Sequence, residues 1–281
     1  MALQTRPLTE HLGAELLGCD PREPFGTDTA RALEAALREH RVLLVRGKPL
    51  TEEQQVRLTQ LAGVLTYRGY GSYTDPSKKS SLVSNVHKEG LFGDGELSFH
   101  SDLSFTPHIL KARSLHALIL PSYEQAGGET LFSDVQAAYD ELDPALKAKV
   151  EPLQARFAAT YDFGDRQETV EFVRPLIGTH PQTGRRFIAA SRAVTKEIVD
   201  MDRAEFRPLL KSLWAHMELP KYVYRHRWQL ADTLFWDNIA VQHARTPFDP
   251  KEKRALRAVS VDDASVAVPA RQHSEPEKAL R

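Results

Sequence analysis

The stretch from Gly95 to Phe105 reads Gly-Glu-Leu-Ser-Phe-His-Ser-Asp-Leu-Ser-Phe and sets His100 two residues before Asp102. Apolar Leu97, Phe99, Leu103 and Phe105 alternate with polar Ser98, His100, Asp102 and Ser104, which is the period of a half-buried β-strand. Side chains two apart on a strand share a face, so an imidazole and a carboxylate would converge on one point. Such a pair is two thirds of the facial two-histidine, one-carboxylate set that holds iron(II) and leaves adjacent positions open. A His-x-Asp pair is also frequent by chance, and an exposed polar strand face explains it as well until a third ligand is found.

Eleven histidines supply the choice. His11, His40 and His273 fall in surface-like segments, His180 precedes Pro181 in a turn, and His216 lies near a helix end. His87 and His108 read as surface residues or as neighbours of the ligands. His243 differs: it follows Thr233-Leu234-Phe235-Trp236-Asp237-Asn238, a strand that breaks into a polar turn. Arg254 comes eleven residues later, at the head of the apolar run Ala255–Val261. Alone, Arg254 is one more cation beside Lys251 and Lys253, and Thr130 is a turn residue after Gly127-Gly128.

The elements that must position these groups are mostly short strands. Leu12–Leu17, Arg41–Val45, Leu82–Val86, Ser114–Leu120, Glu129–Ser133, Tyr222–Arg227, Thr233–Trp236 and Ala255–Val261 read as strands, and a hairpin spans Val173–Ala190. Thr27 caps a predicted helix to His40, and Thr51 with Gln54 forms a capping box. Further helices are expected over Asp134–Leu142, from Asp143-Pro144, and along a face made by Leu209, Leu210, Leu213, Trp214 and Met217. Strands in both halves with helices between them predict a mainly β chain with flanking helices, one double-sheet barrel or jelly roll, an α+β arrangement being the alternative. We expect a single catalytic domain over residues 1–263, an active-site loop or lid at about 66–95, and a polar C-terminal tail over 264–281.

Bulk properties narrow the function classes. Hydrophobic residues at 41% and charged residues at 27% suit a globular protein, and a net charge of −1 provides no field for nucleic acid or an anionic membrane. The single cysteine, Cys19, forms no internal disulfide, which fits a reducing compartment. No signal-peptide core and no bilayer-length apolar run are present, so a cytoplasmic protein with a small-molecule substrate is expected.

The combined pattern is His-x-Asp, Gly127-Gly128-x-Thr130, Trp236-Asp237-Asn238-x₄-His243, then Arg254. It resembles the taurine dioxygenase/TfdA family of Fe(II)- and 2-oxoglutarate-dependent oxygenases, and the similarity runs from Leu12–Asp20 to Arg257–Val261. The resemblance implies a distorted double-stranded β-helix (jelly roll). It also implies that His100, Asp102 and His243 bind iron and that Thr130 and Arg254 hold the distal carboxylate of 2-oxoglutarate, with O₂ as the second cosubstrate. The implied reaction hydroxylates an unactivated C–H bond with release of succinate and CO₂. Retention of Asp102 favours hydroxylation over halogenation, whereas desaturation, cyclisation or epimerisation would use the same ligands. Homo-oligomers are common in such a family, although no stretch here identifies an interface.

Substrate contacts are expected from Tyr70, Tyr73, Asn85 and Glu96, the last sharing the parity of His100, while Phe99 should face away. In sulfonate-handling members a second arginine lies four residues after the first. Here that position is Ala258, and Arg257, one place before, falls on the opposite strand face, so a taurine-like sulfonate is not the expected substrate. Two rivals remain. A zinc or nickel hydrolase or isomerase would leave Arg254 without purpose and lacks a His-Glu-x-x-His motif. A non-catalytic jelly-roll binding protein would have no use for the whole triad.

Overall fold

The computed structural model describes residues 3–66, 79–88, 90–162 and 167–265. The tail from 266 onward, Tyr70, Tyr73, His273 and much of the expected 66–95 loop therefore lie outside the described residues.

Strand Val42–Val45 shows how the chain sorts itself: all four residues are at most 3% exposed, yet they serve two different cores. Val42 and Leu44 point one way and Leu43 and Val45 the other, as the two-residue period requires. The strand lies inside a nine-stranded sheet. Its order is Gln4–Pro7, Ala14–Leu17, Val42–Val45, Thr233–Asp237, Ala112–Ile119, Ala255–Asp262, Ser81–Ser84 and Leu91–Phe92, with Val64–Leu65 also pairing to Ala255–Asp262. A second sheet has four strands in the order Val223–His226, Thr130–Asp134, Val241–Arg245 and Leu97–His100. The first sheet's inner face (Leu44, Leu115, Leu234, Trp236, Leu256) packs on Phe132, Tyr224 and Val241 of the second. This is a jelly roll, the predicted architecture.

The outer face of the large sheet, through Leu43, Val45, Phe235 and Val261, is covered by Leu33, Ala36 and Leu37 of helix Thr27–His40 and by Leu58 of helix Glu52–Thr59. The Thr51–Gln54 capping box opens the second of these helices as read from sequence. The first differs slightly: Thr27 is already helical and Gly26 occupies the cap without a side-chain bond. A third apolar cluster joins helices Val135–Asp140 and Arg203–Met217 to the hairpin Ile177–Thr179/Arg186–Ile188 and to strand Gln154–Asp162. That strand and its partner Gln167–Pro175, nine residues each, were not among the predicted elements. Among the described residues no helix is long and apolar enough to cross a membrane.

Candidate active site

The site lies between the two sheets, at the edge of their shared core. On strand Val241–Arg245 every second side chain faces inward, so the buried core residue Val241 predicts the same direction for His243 and Arg245. His243 pairs in register with Phe132 on one side and His100 on the other. The next inward residue, Arg245, pairs with Leu97, so two steps on one strand meet three on its neighbour. This irregularity turns both Leu97 and His100 toward the same cavity.

The predicted strand through Phe105 stops at His100. Asp102 sits in the following turn and Leu103 adopts a left-handed backbone, φ 59°. His100 and Asp102 do meet, but a turn brings them together and not a shared strand face. Asn238 sets that turn: its carboxamide accepts the Asp102 N–H at 3.0 Å and donates to the Asp102 carbonyl at 3.1 Å.

His100 Nε2 lies 3.8 Å from Asp102 Oδ1, and His243 Nε2 lies 3.6 Å from Asp102 Oδ2. One ligand atom from each of the three residues falls within 4.8 Å of the others. The protonation states suit a metal. His100 Nδ1 is 2.8 Å from the Ser98 carbonyl, which can only accept, so Nδ1 carries a proton and Nε2 is the nitrogen turned to the cluster. Burial, aided by His100, pushes His243 down to about 3, so its ring is neutral. For Asp102 burial acts upward, but Arg113, His243 and His100 outweigh it and hold the carboxyl well below the usual carboxylate range. A neutral His243, an ionised Asp102 carboxylate and the Nε2 of His100, gathered in one cluster, fit a divalent cation.

Arg254 is fully buried beside this cluster, and Thr130 lines the same cavity. The Arg254 Nε donates to the Gly128 carbonyl at 3.2 Å, and its guanidinium lies over Phe248. Gly128 has φ +80° and passes so close that a Cβ there would stand 3.1 Å from Arg254 Cδ. Burial, with Arg245 adding like charge, pushes Arg254 down to about 9, and among the described residues no carboxylate offsets it. A buried cation without a counter-ion fits a carboxylate-bearing ligand. Thr130 Oγ1 accepts from Trp228 Nε1 at 3.0 Å.

Other expectations change. Asn85 holds backbone: Arg254 N donates to its Oδ1 at 2.9 Å and its Nδ2 donates to the Glu252 carbonyl at 2.8 Å. Glu96 is exposed and off the cavity lining, because the irregular pairing breaks the parity that aligned it with His100. Phe99 is off the lining, as the alternation predicts, with its carbonyl accepting from Ser191 Oγ. His180 does precede a turn, accepting from Gln182 N and Thr183 N, but it is also 2% exposed, with Nε2 3.0 Å from Asp237 Oδ2. Arg257 does point away, donating to Gln55 Oε1 at 2.7 Å, while Ala258 faces the inter-sheet core.

Sequence reasoning missed two cavity arginines. Arg245 fixes the segment ahead of the His-x-Asp pair by donating to the carbonyls of Phe92, Gly93 and Gly95. Arg113, on strand Ala112–Ile119, places Nη1 2.9 Å from Asp102 Oδ2. Its signal was legible: it is charged, yet in phase with Leu115 and Ala117, which are core.

Comparison with known proteins agrees with this arrangement. Pentalenolactone F synthase of Streptomyces arenae is 32% identical over 277 residues, covering 88% of this chain and 91% of that protein. The alpha-ketoglutarate-dependent 2,4-dichlorophenoxyacetate dioxygenase of Cupriavidus pinatubonensis is 30% identical, covering 95% of this chain and all (100%) of that one. The crystal structure of AAD-2 in complex with Mn(II) and N-oxalylglycine superposes with a TM-score of 0.80 at 29% identity, over 95% of this chain and 100% of that one. Residues 4–260 match the profile described as taurine catabolism dioxygenase TauD, TfdA family, and the chain belongs to that family.

Proposed function

We propose that this protein is an Fe(II)- and 2-oxoglutarate-dependent dioxygenase that hydroxylates an unactivated C–H bond of a small molecule, with release of succinate and CO₂. The observation that carries the proposal is the convergence of His100, Asp102 and His243 beside an uncompensated buried Arg254. His100, Asp102 and His243 would hold the iron. Arg254 and Thr130 would bind the distal carboxylate of 2-oxoglutarate, the arginine supplying charge and the threonine a further hydrogen bond. When bound, iron(II) and 2-oxoglutarate supply the activation of O₂ and the oxidising equivalents.

The chain's own residues orient and shield. Trp228 fixes the Thr130 hydroxyl. Val83, Phe92, Leu97 and Leu115 form an apolar wall that keeps water from the reacting carbon. Phe92, 54% exposed and at φ 65°, stands where that wall meets solvent. These four side chains, and not Asn85 or Glu96, are the substrate contacts assigned here. Relatives named for pentalenolactone F and for (S)-phenoxypropionate support a small-molecule substrate.

The test is anaerobic addition of iron(II) and 2-oxoglutarate to the purified protein, followed by visible spectroscopy. A weak charge-transfer band is expected. It should vanish in His100→Ala and weaken strongly in Arg254→Ala at fixed 2-oxoglutarate. A band unchanged in both variants overturns the assignment.

A further inference from the structure

We infer that Arg113 is a positioning residue for the metal site: it grips one carboxylate oxygen of Asp102 and so presents the other to the ion. The inference rests on the iron reading above.

The need for such a residue follows from where Asp102 stands. It lies beyond the end of strand Leu97–His100, in a turn, so no pleat aims its side chain. Asn238 fixes its backbone on both sides but leaves the side-chain torsions free. Arg113 Nη1, 2.9 Å from Oδ2, is the contact that removes this freedom. Oδ1, on the His100 side of the group, is the oxygen left for the ion.

Arg113 is well placed to act as a fixed point. Its strand lies in the middle of the large sheet, and Arg113 pairs with Trp236 on one side and Ser260 on the other. Its side chain is only 13% exposed, as is that of Asp102, so neither swings freely into solvent. It stands on the inner face, one pleat from Leu115, whose neighbour across the sheet is the small Ala258. A second cation beside a divalent metal repels it. A merely electrostatic bystander there would weaken metal binding, whereas an orienting partner strengthens it. Partners that orient metal ligands are typically worth ten- to a hundred-fold in affinity.

The two roles predict opposite signs. Metal-free protein is titrated with Mn(II), free Mn(II) being counted by electron paramagnetic resonance. Arg113→Met should bind Mn(II) at least about tenfold more weakly than the unaltered protein. Arg113→Lys, which keeps the charge and one donor, should recover part of the loss. Equal or tighter binding in Arg113→Met overturns the inference while leaving the iron reading intact. Failure of the unaltered protein to bind Mn(II) overturns both. Thermal melts accompany each titration, and if Arg113→Met does not fold, Arg113→Gln takes its place with the same expected sign.

Discussion

Asn238 treats Asp102 as a strand would treat its neighbour: one carboxamide accepts the Asp102 N–H and donates to the Asp102 carbonyl, at 3.0 and 3.1 Å. The same Nδ2 also donates to the Leu110 carbonyl at 2.8 Å, closing the 102–110 loop. Because the side chain is fully buried, water cannot replace it. Asn238→Ala should cost about 2–4 kcal/mol in chemical denaturation, from orphaned buried backbone groups. Asn238→Asp should be worse still, since an oxygen would then face two carbonyls.

Arg254 should show opposite effects on stability and binding. Replacing it with Met removes a buried cation that lacks a counter-ion, so the ligand-free protein should melt at a higher temperature. Affinity of the metal-loaded protein for 2-oxoglutarate should fall by about a hundred-fold or more, the usual result of losing one partner of a buried charge pair. Calorimetric titration and a thermal melt on the same variant check both signs. A lower melting temperature would contradict the account of Arg254 as uncompensated.

His116 gives the pH prediction. It is 2% exposed, its Nε2 accepts the Leu50 N–H at 3.3 Å, and its Nδ1 is 2.7 Å from Thr233 Oγ1, so the ring is held neutral. Burial, with Arg257 nearby, pushes its pKa from 6.5 down to about 4. Below the unfolded value the unfolded chain binds the proton more readily, so stability falls as pH drops from 6.5 towards about 4. At about 1.4 kcal/mol per unit this reaches about 3 kcal/mol at the acid end. Denaturation at several pH values should show that His116→Gln is less stable at neutral pH but has a flatter slope across this window.

Taurine and simple alkylsulfonates should release succinate no faster than the substrate-free protein. Ala258 offers them no cation, and Arg257 is committed to Gln55 Oε1 and the Leu50 carbonyl on the far side of the sheet. Efficient turnover of taurine would show that another cation, Arg113 being the nearest to Asp102, receives the sulfonate.

What the sequence made legible was chemistry confined to short motifs. His100, Asp102, His243, Thr130 and Arg254 meet in one cavity because each sits beside a local signal: alternation, a glycine pair or the end of an apolar strand. Contacts between distant segments stayed hidden. His180 reads as a turn residue alone, since its partner Asp237 is 57 positions away. Strand Val241–Arg245 carries Gln, His and Arg, all buried, so polarity concealed its pattern. Alternation over Gly95–Phe105 predicts a longer strand than the one formed, because it continues through a turn that Leu103 makes in the left-handed region.

The mismatch between Leu97–His100 and Val241–Arg245 has an evolutionary consequence. Three residues against two are what bring His100 round to His243. With one-for-one pairing, residues three apart would face opposite sides, so either Leu97 would leave the apolar wall or His100 would leave the metal cluster. The extra residue lets one short strand supply both, and a lineage that lost the irregularity by a shift of register would forfeit one of them.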